Sequence, residues 1–222
     1  MQNPWINLPE SAPFVLPSDA ESIARHNQHN RITSNSDGRI NLRLRPVPFI
    51  GNPLAPVVFL TLNPGDKPGD EEAQATESYR RLSHLNLRHE GGYYYLHDDL
   101  ASAPGGVYAR KQFKCLINRL EPNRLYNKIF LAQYLPYHSK KFIETGIAYP
   151  SQSYTFYLVD NAVRRGAIVV ILRSKRLWLE QVPALAAYQN MCECSNKRNP
   201  TTSPRNLGQD NFDRILQEIL SI

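Results

Sequence analysis

Six consecutive residues, Thr61-Leu62-Asn63-Pro64-Gly65-Asp66, bring together an amide, a carboxylate and a turn. A neutral amide such as Asn63 can orient a water where bond breaking runs ahead of attack, so that the water needs placement more than a strong base. Cleavage of an N-glycosidic bond is a reaction of this kind, passing through an oxocarbenium-like sugar. Asp66 can supply negative charge to that sugar or help take a proton. A solvated turn carboxylate or a helix N-cap accounts for Asp66 equally well. Pro64 and Gly65 shape the turn and let the backbone approach a nucleotide closely. As bare turn formers these residues are commonplace, so the meaning of the segment depends on the other loops.

Three further segments are unusually polar. Gln133 ends the run Phe130-Leu131-Ala132-Gln133 and is followed by Pro136-Tyr137-His138-Ser139-Lys140-Lys141. Tyr137 is a candidate to stack on a base or plug a pocket, and His138 to protonate or to contact a phosphate. Lys140 and Lys141 can anchor a phosphate backbone. Arg173-Ser174-Lys175-Arg176 adds a second basic cluster, for which a helix start with solvated charges is the plain alternative. In Asn199-Pro200-Thr201-Thr202-Ser203-Pro204-Arg205-Asn206, the hydroxyls of Thr201, Thr202 and Ser203 can donate to phosphate oxygens, and Arg205 adds charge. The same stretch also serves as an ordinary connection.

These segments need elements to hold them. The runs 56–62, 128–133 and 167–173 are apolar on both faces, as strands covered by helices on both sides require, and 190–194 is a weaker fourth run. Helical patterns are expected at 71–87, 108–120, 151–165, 177–188 and 210–220, the last with Phe212, Ile215, Leu216, Ile219 and Leu220 on one face. Alternating strands and helices predict a three-layer α/β/α sandwich around a four-stranded parallel sheet. Ligands of such sheets bind beyond the carboxyl ends of the strands, where all four polar segments fall. The first 45 residues read as a wrapping arm. Ser18-Asp19-Ala20-Glu21 has the capping-box pattern and opens a helix to about Asn30. Asn35-Ser36-Asp37-Gly38 marks a turn, and alternation of Ile40, Leu42 and Leu44 suggests an edge strand. Gly91-Gly92-Tyr93-Tyr94-Tyr95 is an aromatic-rich strand or loop filling the surface, or a wall of the pocket.

Composition sets limits. The 222 residues suit a single domain, and 41% hydrophobic with 21% charged residues is ordinary for a globular protein. The net charge of +6 and a pI near 9.3 favour a polyanionic partner. Cys115, Cys192 and Cys194 form no CxxC pair, which suggests reduced thiols in a cytoplasmic protein, and Cys192 and Cys194 alternate as inward side chains of a strand. His26 and His29 have no third ligand within reach in sequence, so neither a metal nor another cofactor is expected. No signal peptide and no membrane span is expected. GxSxG, Walker A and GxGxxG patterns are missing from the sequence.

Taken together, the motifs resemble the uracil-DNA glycosylase superfamily. A strand ending in Leu62-Asn63-Pro64-Gly65, with the lead-in Pro48-Phe49-Ile50-Gly51-Asn52-Pro53-Leu54-Ala55-Pro56, is similar to motif one of its mismatch-specific and single-strand-selective branches. Asn199 to Asn206 is similar to motif two, the loop that grips DNA beside the flipped base. The resemblance covers about residues 46 to 220. It implies that Asn63 and Asp66 are catalytic, and that Pro64, Gly65, Gln133 and Tyr137 bind the base. His138, Lys140, Arg173, Asn199, Pro200, Thr201, Ser203 and Arg205 would bind DNA. Gln133 stands where relatives usually read the base edge with Asn, keeping the donor–acceptor pair but reaching farther. Asn199 stands where many relatives carry a histidine that stabilises the departing base, as it does in the mismatch-specific branch.

The expectation is therefore a monomeric, monofunctional DNA glycosylase that flips and excises uracil or a modified pyrimidine, in repair or in defence against phage with modified DNA. No bulky residue follows Pro64, which leaves room for a 5-substituent. About five phosphates, met by Lys140, Lys141, Lys175, Arg176 and Arg205, would contribute to affinity. A catalytically inactive nucleic-acid-binding module is the alternative, and a small-molecule hydrolase on the same kind of sheet is a third.

Overall fold

A computed structural model describes residues 1–33 and 37–221. Five segments become strands: β1 (Phe49–Gly51), β2 (Val57–Thr61), β3 (Ile129–Gln133), β4 (Ile168–Ile171) and β5 (Met191–Glu193). They form one sheet in the order β1-β3-β2-β4-β5. β2 pairs in parallel with β3 and β4, and β4 with β5, while β1 runs antiparallel to β3. The four parallel strands are the four apolar runs of the sequence. The sheet is nevertheless mixed and five-stranded, because β1 joins its edge. At Gly51, φ is 100° and a Cβ would collide with the Ile129 carbonyl oxygen, so the close pairing of β1 with β3 requires glycine there.

Alternating side chains of each strand enter opposite cores. Val58, Leu60, Phe130, Ala132, Val169 and Ile171 face one, and Val57, Phe59, Ile129, Leu131, Ile168 and Val170 face the other. Two-sided burial is the reason the middles of these strands are apolar and their polar residues, Thr61 and Gln133, stand at the ends. The helices are α1 (Ala20–Gln28), α2 (Asp70–Ala75), α3 (Glu77–Leu87), α4 (Pro104–Gln112), α5 (Lys114–Leu120), α6 (Pro122–Tyr126), α7 (Gln152–Arg164), α8 (Lys175–Gln181), α9 (Pro204–Leu207) and α10 (Gln209–Leu220). Ile23 of α1, Leu158 and Val159 of α7 and Trp178 of α8 fill the first core. Ala109 of α4, Leu116 of α5 and Phe212, Ile215 and Ile219 of α10 fill the second.

Several local expectations are corrected. The helix expected over 71–87 is broken at Thr76, which is extended (φ −68°, ψ 149°) and caps α3 by accepting the Tyr79 N–H. The helix expected from 108 begins at Pro104 and breaks at Phe113. The one expected over 177–188 stops at Gln181, ahead of Pro183, and continues as a 3-10 turn. Residues 40–44 form no strand: Ile40 and Leu44 are buried in a turn where Asn41 Oδ1 accepts the Arg43 N–H at 2.9 Å. Of the expected turn 35–38, Asp37 and Gly38 form a turn, whereas Asn35 and Ser36 lie outside the described residues. Tyr93 and Tyr94 are both 2% exposed and fill the second core instead of the surface.

The arm is built into the first core through Trp5, Leu8 and Leu16. Asp19 does not act as a side-chain cap. It is fully buried, accepting from the Tyr137 hydroxyl at 2.8 Å, the Ser151 hydroxyl at 2.5 Å and the Ser151 N–H at 3.0 Å. Three donors to one carboxylate offset the cost of burying its charge.

Candidate functional site

Because β2, β3, β4 and β5 are mutually parallel, the segments after them emerge at one edge of the sheet: 62–70, 134–141, 172–174 and 194–203. The chain steps from β2 to β3 on one side and then across to β4 on the other, so the ends of β2 and β4 flank a topological switch point. Trp178 closes the bottom of that crevice by donating Nε1–H to the Thr61 carbonyl at 3.0 Å.

Asn63 is held tightly by the loop after β3. Its Nδ2 donates to the Pro64 carbonyl at 2.9 Å, the Ser139 hydroxyl at 3.0 Å and the Ser139 carbonyl at 3.3 Å. Backbone carbonyls only accept, so the amide nitrogen must face them and the amide orientation is fixed. Oδ1 then points away, with no donor bound to it among the described residues. The two loops are joined further by the Leu135 N–H donating to the Leu62 carbonyl at 2.7 Å.

Gln133 faces Thr61 directly across the β2–β3 ladder and is 8% exposed. Its Oε1 is buried without a hydrogen-bond donor. An orphaned amide oxygen at a strand end costs stability unless something donates to it. Asp66 is half-buried, with Oδ2 accepting from Asn41 Nδ2 at 3.3 Å. Asp70, at the head of α2, shares the loop: its Oδ2 accepts the Lys67 N–H at 2.7 Å. Burial, with Asp66 and Glu72 nearby, pushes the Asp70 carboxyl up to about 6, against the pull of the Lys67 N–H. The loop thus carries two carboxylates in different surroundings, the arrangement by which acid and base roles are separated.

Two expected contacts lie elsewhere. Tyr137 is 0% exposed, and its hydroxyl donates to Asp19 while accepting the Leu16 N–H. It is core and cannot stack on a base. His138 is 3% exposed, with Nδ1 2.5 Å from the Gly65 carbonyl oxygen and Nε2 2.9 Å from that of Arg45. It fastens the Gly65 turn and does not reach solvent or a phosphate, and burial lowers its pKa. Gly65 itself is exposed, and a Cβ there would meet only Lys67, at 3.8 Å. Pro64 is buried, its carbonyl engaged by Asn63.

The segment after β5 is a preformed bowl. Asn196 Oδ1 accepts the N–H groups of Arg198 and Asn199, and Asn206 Nδ2 donates to the Asn199 carbonyl and to Thr201. Thr202, fully buried, fastens it to the end of α4 through the Gln112 carbonyl. Arg173 joins it to β4 by donating Nη2–H to the Arg198 carbonyl at 3.1 Å. The bowl encloses about 640 Å³, with Lys197, Arg198, Asn199, Thr201, Ser203 and Arg205 among its walls. Asn199 is exposed, its side chain bonded to no described residue, and Pro200 is buried.

The basic clusters are not equally available. Lys175 pairs with Glu193, and Arg176 with Glu144 and Glu180. Lys140, Lys141, Arg198 and Arg205 are exposed and carry no ion pair among the described residues. A second cavity of about 720 Å³ lies under residues 142–150, against Tyr134, Phe142 and Phe156. Neither cavity is lined by Asn63 or Gln133. Among the described residues no group of His, Cys, Asp or Glu is placed to hold a metal ion, and no helix is long and apolar enough to cross a membrane.

Two residues of the site carry no signal that sequence reading used. Ser139 sits within the Tyr137-His138-Ser139 run as an ordinary loop serine, and Asp70 follows Asp66 by four positions as a second turn carboxylate. Comparison with protein-family models, with curated proteins and with solved structures finds no match.

Proposed function

We propose that this chain is a monofunctional DNA glycosylase of the uracil-DNA glycosylase kind, which extrudes a uracil-like or modified pyrimidine and hydrolyses its N-glycosidic bond. The observation that carries this reading is the fixed amide of Asn63, whose nitrogen is bound by protein and whose Oδ1 is left to accept from a water. That water attacks C1′ as the C1′–N bond breaks, the electron pair leaves with the base, and the water proton passes to a carboxylate of the same loop or to solvent. Gln133 Oε1, short of a donor, suits an N–H on the edge of a base. Lys140, Lys141, Arg198 and Arg205 suit the phosphates on either side.

The test is incubation of the protein with DNAs containing uracil, mismatches or 5-substituted pyrimidines, followed by alkali to reveal abasic sites. Wild type is expected to produce them on at least one substrate, and Asn63→Ala to abolish them while retaining DNA affinity. Absence of abasic sites across the whole panel would overturn the reading. One observation favours a second reading, a nucleic-acid-binding module without chemistry: the bowl is open, whereas Asn63 lines neither it nor the cavity under residues 142–150. Under that reading Asn63→Ala changes nothing measurable, and DNA affinity depends on Arg198 and Arg205.

A further inference from the structure

An enzyme or binder that takes a nucleotide out of a stack must put something against the bases left behind. The bowl after β5 supplies nothing for that purpose. Between Asn199 and Arg205 there is no aromatic or large aliphatic side chain, and Pro200 is buried. Among the described residues the exposed large apolar side chains are Met1, Ile6, Leu54, Val107, Tyr108, Tyr157 and Leu220, and of these only Val107 and Tyr108 are adjacent in sequence. They are 55% and 49% exposed and lie on the first turns of α4.

α4 spans the gap between the two candidate loops. Its Pro104 lies against Gly69 of the Asn63–Asp70 loop, and its last residue, Gln112, accepts from Thr202 of the bowl. Burial raises the pKa of the Tyr108 hydroxyl, with the Arg173 charge pulling the other way and Cys194 adding to the rise, and Cys194 Sγ contacts the Asn196 carbonyl of the bowl at 3.6 Å. Gly105 and Gly106 hold the helix start in place by close packing, since a Cβ at either would collide with Tyr95 or the Leu100 carbonyl. Lys111, three residues after Tyr108, shares its exposed face.

We infer that this face of α4, with Tyr108 as the stacking ring and Lys111 beside it, is the surface on which unstacked bases of a nucleic-acid strand rest. The inference deepens the proposed glycosylase function and rests on it for the choice of DNA as partner. Charge selects a nucleic acid over a protein: Lys111 shares the exposed face of Tyr108 and the Arg173 charge acts on its hydroxyl, neither of them ion-paired among the described residues. A ring flanked by cations matches the alternation of bases and phosphates along a single strand.

The experiment uses the full chain and a single-stranded DNA of about twelve nucleotides carrying 2-aminopurine. Wild type, Tyr108→Phe and Tyr108→Ala are compared for affinity and for the change in 2-aminopurine fluorescence. Tyr108→Phe keeps the ring and is expected to stay within about twofold of wild type, whereas Tyr108→Ala loses about tenfold or more in affinity, together with the fluorescence change. Equal affinity and equal fluorescence change in Tyr108→Ala would overturn the inference, as would failure of wild type to bind. If binding depends on Tyr108 but no DNA in the panel yields abasic sites, the stacking surface stands and the glycosylase reading falls. If abasic sites form and Tyr108→Ala binds as wild type does, the reverse holds.

Discussion

Asn63 and Ser139 lie 76 residues apart in sequence and meet through a 3.0 Å hydrogen bond from the amide nitrogen to the serine hydroxyl. The hydroxyl in turn donates to the Lys141 carbonyl at 3.1 Å, so its lone pairs face Asn63. This contact fixes the direction of the amide oxygen on which the proposed chemistry relies. Ser139→Ala removes one of three acceptors and loosens that direction. The expected result is a fall in kcat of about fivefold, equivalent to about 1 kcal/mol, with KM within about twofold of wild type. Single-turnover kinetics on an active substrate measures it. A rise in KM at unchanged kcat would show that Ser139 has no part in placing the amide.

Asp70 makes the protein less stable as the solution becomes more alkaline. Its folded-state pKa of about 6 lies above the ordinary 3.8, so between those values the folded protein holds a proton that the unfolded chain has released. Its contribution is full below about pH 3.8 and is lost as pH rises through about 6. Asp70→Asn keeps an acceptor for the Lys67 N–H and removes the charge. It is expected to raise stability at pH 8 by about 1 kcal/mol, the shift being discounted for a carboxylate still partly in solvent, and to have no effect near pH 3.5. Urea unfolding at the two pH values checks this, and an equal effect at both would contradict it.

DNA affinity should depend on salt less steeply than the count of basic residues suggests. Of the five expected contacts, Lys175 and Arg176 are held by Glu193, Glu144 and Glu180, which leaves Lys140, Lys141 and Arg205, and exposed Arg198 of the bowl adds a fourth. Four neutralised phosphates give a log–log slope of about −3.6 on duplex DNA. Charge reversal at Arg205 is expected to reduce the slope by about one unit and reversal at Arg176 to leave it alone. The reverse outcome would mean that the ion pairs of Arg176 open on binding.

Removal of Asp19 should undo the docking of the arm. Asp19→Ala strips the Tyr137 hydroxyl and the Ser151 N–H of their acceptor in a site without solvent. A loss of about 3 kcal/mol is expected, read from the denaturant midpoint, with a smaller loss for Asp19→Asn, which still accepts. A change below about 0.5 kcal/mol would show that the arm docks through its apolar residues alone.

What sequence could convey follows from where each signal originates. Val57 to Leu60 and Ile168 to Ile171 were legible as strands because burial on both faces leaves a continuous apolar run, a property of the run itself. β1 escaped notice because it has only three residues, and its pairing depends on what Gly51 lacks. Ile40, Leu42 and Leu44 alternate as a strand does, but alternation reports burial, and burial is met here by a turn. The shared edge of Asn63 and Gln133 is legible because Gln133 ends β3, Asn63 follows the end of β2 by two residues, and parallel pairing carries both to one side. Tyr137 and His138 follow the same strand, yet sequence position does not say which way a loop side chain turns. Both turn inward, toward Asp19 and toward the Gly65 and Arg45 carbonyls. Asp70 was not distinguishable from Asp66, since its desolvation comes from tertiary neighbours.

The burial of Asp19 has a consequence for the order in which the chain is made. Its acceptor oxygens find their donors on Tyr137 and Ser151, 118 and 132 residues downstream. At ordinary rates of synthesis, roughly seven to twenty-six seconds pass before Ser151 follows Asp19 off the ribosome. For most of that interval Trp5, Leu8, Leu16 and Ile23 have no complete sheet to cover, because β3 comes near its end and β4 only after it. The nascent chain therefore holds the apolar residues of this segment without their full cover until β4 and α8 have followed α7.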